Sequence, residues 1–168
     1  MTAAALPHHE PLAIRAASGA DREVLARATL ENLTWSGPRF TADDVHDRPE
    51  FRHYYDPWPG SEADFGLIAQ DAAARAIGAV WLTHFKASDP GYGFVSEDIP
   101  ELSIWVDAGH RGRGIGGSLL EGAIREARAR GRSAISLSVE DGNPAVRLYE
   151  RHGFAPTGTV AGCMALRL

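Results

Sequence analysis

The sequence predicts a mixed α/β domain, because apolar runs typical of strands alternate with amphipathic stretches typical of helices. A glycine-rich turn lies between one apolar run and the longest amphipathic stretch, and so places a strand and a helix in direct succession. The 168 residues, 44% of them hydrophobic, suffice for one buried core, so we expect a single domain over residues 1–168.

Each element has its own signal in the sequence. Residues 1–10 resemble a loose leader, and apolar runs then predict strands at 12–17, 65–70, 76–85, 99–106, 133–139, 154 and 163–168. Amphipathic or capped stretches predict helices at 21–32, after Thr41, at 115–130 and at 143–152. Gly131 and Gly153 follow the last two helices, where glycine commonly ends a helix. Residues 86–98 are polar and rich in turn residues, which predicts a loop.

The segment 35–60 combines prolines with aromatic side chains and gives no clear period. Its aromatic residues are Trp35, Phe40, Phe51, Tyr54, Tyr55 and Trp58. Such side chains can line a ligand pocket, or they can pack a loop onto the body of the protein. Both interpretations remain open at the level of sequence.

The glycine-rich turn, residues 111–118, predicts an anion-binding site. Glycines leave the backbone bare where it must approach a ligand closely, and four fall within six residues: Gly112, Gly114, Gly116 and Gly117. Free N–H groups and the positive end of the helix dipole at the start of a helix favour a phosphate. Arg111 and Arg113 add guanidinium forks that match phosphate oxygens.

Two nucleotide-binding motifs compete for this turn. A nucleoside-triphosphate loop requires lysine before Ser118, where Gly117 stands, so that interpretation fails. A dinucleotide fingerprint is met by Gly112, Gly114 and Gly117, with Glu140 or Asp141 as the acid for a ribose hydroxyl. Only about fifty residues follow the turn, however, too few to complete a doubly wound nucleotide sheet.

A second motif, NPAVRLYERHGF at 143–154, follows the strand after the glycine turn. Together with Arg111, Gly114 and Gly116 it resembles the GNAT superfamily of acyl-CoA-dependent N-acyltransferases over roughly residues 99–156. The resemblance implies a mixed, mostly antiparallel sheet flanked by helices and splayed at the cofactor site. It also implies acetyl-CoA as co-substrate and an acetyl group transferred to a primary amine by direct attack in a ternary complex.

The resemblance assigns roles to particular residues. The turn from Arg111 to Ser118, made of Arg111, Gly112, Arg113, Gly114, Ile115, Gly116, Gly117 and Ser118, would hold the CoA pyrophosphate. Backbone groups of Trp105 and Val106 would pair with the pantetheine arm, and Asn143 would contact the cofactor or cap its helix. Tyr149 matches the tyrosine that protonates the departing thiolate, a role that suits a phenol because it is protonated at neutral pH.

An amine acceptor must lose a proton, so a base is needed. The resemblance favours Glu101, at the start of the strand before the glycine turn, with Glu97, Asp98, His84 and His53 as alternatives. Acidic residues elsewhere are consistent with a cationic acceptor or with an ordinary solvated surface: Asp43, Asp44, Asp47, Glu62 and Asp64.

Composition excludes several other functions. A formal net charge of −5 argues against a nucleic-acid binder, and a lone cysteine, Cys163, excludes an internal disulfide and a cysteine-rich zinc site. We expect no metal cofactor, no membrane partner, a small-molecule amine acceptor and a cytoplasmic location. The oligomeric state is left open, with a homodimer, as in many family members, as one possibility. The alternative functions are a protein lysine or N-terminal acetyltransferase, a non-catalytic acyl-CoA sensor and, more distantly, a dinucleotide-binding protein.

Overall fold

The computed structural model describes residues 12–168, so the expected leader at 1–10 lies outside the described residues. The strands are β1 (Ala13–Ala16), β2 (Phe65–Gln70), β3 (Ala76–Thr83), β4 (Glu101–Val106), β5 (Ala134–Ser138), β6 (Ala155–Pro156) and β7 (Cys163–Arg167). The helices are α1 (Arg22–Leu33), α2 (Ala42–Asp47), α3 (Pro49–Arg52), α4 (Ile115–Ala129) and α5 (Val146–Arg151). This sequence of elements confirms the mixed α/β prediction.

The seven strands form one sheet in the order β1-β2-β3-β4-β5-β7-β6. Neighbouring strands are antiparallel except β4 and β5, which run parallel and share a single register pair, Glu101 with Ser136. The Ser136 amide donates to the carbonyl of Pro100 at 3.0 Å, and beyond this point the two strands separate. The sheet is therefore divided into two halves by a V-shaped gap.

The two faces of the sheet carry separate hydrophobic clusters. Helices α4 and α5 pack on one face, where the apolar stripe of α4 is buried around Leu119 and Leu120. On the other face α1, α2 and α3 cover Trp81 and Trp105, and Leu25 is fully buried beneath α1. The gap thus opens between a layer that contains the glycine turn and a layer that contains the aromatic segment.

Local signals account for most boundaries. Thr41 caps α2 through a capping box with Asp44, as predicted, and Gly131 and Gly153 adopt positive φ of 70° and 91° just past their helices. The end of β3 differs from the sequence expectation. The 76–85 run leaves the sheet after Thr83, because the backbone amide of His84 turns to donate to Asp64 at 2.9 Å.

Candidate active site

The glycine turn leads from β4 into α4 and has the geometry of a ligand cradle. Gly112 and Gly114 have φ of 75° and 80°, a region that side-chain-bearing residues rarely adopt. A Cβ added at Gly112, Gly114 or Gly117 would meet nothing within 4 Å, so the space beside the backbone is open. The first internal bond of α4 runs from the Ser118 amide to Gly114, which leaves the preceding N–H groups to face this space.

Arg111 and Arg113 are both exposed beside the turn. The Arg111 Nε donates to the carbonyl of Val106 at 3.2 Å, which ties the turn to the end of β4. This arrangement offers backbone donors and two guanidinium groups to one anion. It therefore fits a pyrophosphate, as the sequence predicts.

The exposed edge of β4 lines the gap with carbonyl groups. The Val106 carbonyl accepts from Arg111, and the Ile104 carbonyl accepts from Asn32 Nδ2 at 3.0 Å. The carbonyl of Trp105 faces the other way, next to Gly78 of β3. The expectation for Trp105 therefore needs correction, because backbone groups alternate along a strand: Ile104 and Val106 face the gap, and Trp105 contributes a side chain buried under α1.

Asn143 lies in the turn before α5, and its Oδ1 accepts from the Ala145 amide at 2.9 Å. The regular helix begins at Val146, later than the predicted 143, but Asn143 does cap the turn that precedes it. Tyr149 projects from α5 into the core beneath the sheet, with its ring edge-on to Phe154 at 6.0 Å between centroids. Burial raises the pKa of Tyr149 to about 12, so this phenol keeps its proton at neutral pH.

Glu101 is buried at the point where the sheet divides, with 3% of its surface exposed. Its Oε1 accepts from the Tyr54 hydroxyl at 2.8 Å, and its Oε2 is buried without a hydrogen-bond partner. Burial raises the pKa of Glu101 to about 7, while the hydrogen bond from Tyr54 opposes the rise. The backbone of Gly93 also lowers the Glu101 pKa, although Oε2 has no hydrogen-bond partner. A carboxyl with this pKa can accept a proton near neutral pH.

The loop 86–98 packs over Glu101. A Cβ at Gly91 would lie 2.1 Å from Glu101 Oε2, and a Cβ at Gly93 would lie 2.4 Å from the Leu137 carbonyl carbon. Glycine is therefore required at both positions for the loop to lie against the carboxylate and against β5. The sequence predicted only a polar loop at 86–98, and in the structure this loop forms one wall of the site.

Three of the four alternative bases contact other protein groups, although Nε2 of His53 and of His84 is buried without a partner. His53 contacts Asp89 at 3.0 Å and His84 contacts Asp64 at 2.9 Å, each through Nδ1. Glu97 accepts from the amide of Ala87, and Asp98 is exposed.

The acidic residues that suggested a cationic acceptor are explained in part by local structure. Asp44 accepts from the Thr41 amide in the capping box of α2, and Asp64 accepts from the amides of Gly60 and His84. Asp43, Asp47 and Glu62 are exposed. A cationic acceptor therefore stays a prediction.

The segment after α1 is tied across to the loop after β5. Glu140 accepts from Trp35 Nε1 at 2.8 Å and pairs with Arg39 at 2.9 Å. The acid that could have served a dinucleotide ribose is thus engaged in joining the two sides of the gap. No motif in the sequence indicates Asn32 or Ile104, which border the gap, and Tyr54 stands out only as one of several aromatic residues in the segment 35–60.

The divided sheet, the open glycine turn on one side and the buried carboxylate on the other are the features expected of an acyl-CoA-dependent transferase. Residues 28–154 match the model of the Acetyltransferase (GNAT) family. The chain belongs to this family, and it is an N-acetyltransferase with acetyl-CoA as its co-substrate.

Two relatives and one solved structure illustrate the similarity. "Putative phosphinothricin acetyltransferase YwnH" of Bacillus subtilis is 40% identical over 145 residues, 84% of this chain and 83% of that protein. The streptothricin acetyltransferase of Streptomyces lavendulae is 32% identical over 136 residues, 78% of this chain and 71% of that protein. The solved structure of PaiA N-acetyltransferase from Thermoplasma acidophilum in complex with coenzyme A has a TM-score of 0.67 at 19% identity. It covers 94% of this chain and 99% of its own, and it supports the fold.

Within residues 12–168, the helices are all too short or too polar to cross a membrane. The same described residues contain no group of three or more His, Cys, Asp or Glu side chains arranged to hold a metal ion.

Proposed function

We propose that this enzyme acetylates the primary amine of a small molecule by direct attack on acetyl-CoA in a ternary complex. The observation that carries the proposal is the Glu101 carboxyl, buried at the division of the sheet with one oxygen free of protein partners. The named substrates of the relatives, phosphinothricin and streptothricin, support a small acceptor.

Open space beside Gly112, Gly114 and Gly117 supports binding of the donor at the glycine turn. We propose that the backbone of 111–118 holds its pyrophosphate and that Ile104 and Val106 pair with its pantetheine arm. When bound, acetyl-CoA supplies an acetyl group activated as a thioester.

Two side chains would then move protons. Glu101 takes a proton from the acceptor nitrogen as the new N–C bond forms, and the Tyr149 hydroxyl gives a proton to the sulfur as the C–S bond breaks. The products are an amide and CoA. No described residue forms a hydrogen bond with the Tyr149 hydroxyl, which leaves that proton available to a ligand.

The acceptor would approach on the face that carries α1–α3. Loop 86–98 borders an open pocket lined by Glu50, Pro90, Gly91, Tyr92, Phe94 and Val160. This aromatic lining with one carboxylate suits the apolar body of a small amine.

Calorimetric titration with acetyl-CoA, followed by an amine screen read by thiol release, tests the proposal. The screen should include phosphinothricin, methionine sulfoximine, streptothricin and a lysine peptide. We expect micromolar acetyl-CoA binding and turnover with at least one small amine. Binding without turnover on any amine would favour a sensor, and turnover confined to the peptide would favour a protein acetyltransferase.

A cytoplasmic location and a homodimer stay predictions. Fractionation of cells and light scattering of the purified protein, respectively, test them.

A further inference from the structure

The two oxygens of the Glu101 carboxylate lie in different surroundings. Oε1 accepts the Tyr54 hydroxyl proton at 2.8 Å, whereas Oε2 is buried and has no partner. Because a hydroxyl has one proton to donate, Tyr54 commits that proton to Oε1. Only Oε2 is left to accept a proton from an incoming group.

The Tyr54 hydroxyl also holds the loop that covers the carboxylate. It accepts from the Tyr92 amide at 2.7 Å. The Tyr54 hydroxyl oxygen therefore connects three segments: the turn after α3, the first residue of β4 and the loop 86–98. Its ring is fixed from the sides by Phe85, with centroids 5.1 Å apart, and by His53 at 4.8 Å. Tyr54 is 8% exposed and has little freedom to move away.

Oε2 belongs to a short row of unpartnered polar atoms. Thr83, Glu101 and Ser136 are register partners across β3, β4 and β5, so their side chains lie on the same face of the sheet. Thr83 Oγ1, Glu101 Oε2 and Ser136 Oγ are each buried without a partner. Buried polar atoms are normally satisfied, so a polar ligand or water is expected here.

We propose that Tyr54 is a positioning residue for acetyl transfer: it engages Oε1 of Glu101, presents Oε2 to the acceptor and holds loop 86–98 in place. This inference rests on the proposed role of Glu101 as the base. It also predicts that removal of the hydroxyl raises the pKa of Glu101, because the hydrogen bond from Tyr54 stabilises the charged form of this carboxyl.

The test compares Tyr54→Phe with Tyr55→Phe. Both changes delete one buried phenol hydroxyl, but the Tyr55 hydroxyl donates to the Val45 carbonyl at 3.2 Å and does not contact Glu101. Loss of a hydrogen bond to a charged group should raise the Glu101 pKa by about one to two units. We expect the acidic limb of the kcat/KM profile to move up by that amount in Tyr54→Phe and to stay in place in Tyr55→Phe.

Two further measurements do not depend on activity. Carbon-13 NMR titration of the glutamate carboxyls, with Glu101→Gln to assign the resonance, should show the same pKa shift without donor or acceptor. Hydrogen exchange at the Tyr92 amide should accelerate at least tenfold in Tyr54→Phe only. An unchanged Glu101 titration or an equally protected Tyr92 amide would overturn the positioning role.

The outcomes separate this inference from the proposed function. If the wild-type enzyme acetylates no amine but the NMR titration shifts, the function fails and the positioning stands. If the wild type is active and the profile does not move, the positioning fails alone. Should Tyr54→Phe not fold, 3-fluorotyrosine at position 54 gives the opposite sign: a stronger donor of nearly the same shape should lower the Glu101 pKa, and a pKa that did not fall would refute the proposal.

Discussion

Replacement of Glu101 by glutamine should stabilise the protein at alkaline pH while it removes the proposed base. Burial raises the pKa of this carboxyl from 4.5 to about 7, so the folded chain binds the proton more tightly than the unfolded chain. Between these two values the folded state holds the extra proton, and the free energy of unfolding therefore falls as pH rises through the window.

The size of this penalty follows from the two pKa values. Their difference, about 7 minus 4.5, is about 2.5 units, which corresponds to about 3 kcal/mol lost in full above pH 7. Glutamine has no charge to desolvate, and its amide oxygen can still accept from Tyr54. We expect Glu101→Gln to equal the wild type near pH 5 and to exceed it by about 2–3 kcal/mol at pH 8.

Denaturant unfolding at pH 5, 6, 7 and 8 measures this difference. Glu62→Gln is the matched control, because Glu62 is exposed and its neutralisation should change stability little at any of these pH values. The reasoning would be refuted if the stability difference between Glu101→Gln and the wild type did not depend on pH, or if the variant were less stable at pH 8. Either result would mean that the buried charge of Glu101 does not destabilise the fold.

Three further changes test other parts of the site. Tyr149→Phe should lower kcat by about 10²–10⁴-fold if the phenol protonates the thiolate, with calorimetric acetyl-CoA affinity nearly unchanged; full turnover would remove Tyr149 from the mechanism. Gly114→Val should abolish calorimetric acetyl-CoA binding, because φ of 80° strains valine and its side chain would fill the open cradle; wild-type affinity would place the pyrophosphate elsewhere. Gly93→Ala should cost about 1–3 kcal/mol in denaturant unfolding, since its Cβ would approach the Leu137 backbone to 2.4 Å. Gly19→Ala, whose Cβ meets nothing closer than 3.9 Å, should be nearly neutral, and equal effects of the two would contradict the packing of loop 86–98.

The part of the fold around the glycine turn was predictable because its signals are local. An apolar run, positive-φ glycines and an amphipathic stripe each act within a few residues, and the structure places β4, the turn and α4 accordingly. The motif at 143–154 likewise lies on a single turn and helix. The gap in the sheet was predicted only from the resemblance to a known family, because no periodicity in this sequence indicates it.

The acceptor side was not predictable from the sequence, because its contacts join distant segments. Tyr54 and Glu101 are 47 positions apart, and nothing near Tyr54 distinguishes it from Tyr55, which packs against the core under α2. Both interpretations of the aromatic segment hold in part: Phe51, Tyr55 and Trp58 pack onto the sheet, and the Tyr54 hydroxyl reaches the site.

β4 and β5 share a single register pair, so most of the facing edges of these two central strands are not paired with each other. Along the edge of β4 the carbonyls of Ile104 and Val106 accept from the side chains of Asn32 and Arg111 instead of from a neighbouring strand. A pantetheine arm paired with these groups would take the place of that strand. Donor binding would then also stabilise the fold, because the arm would join the two halves of the sheet. If so, substitutions along this edge would change donor affinity and fold stability together.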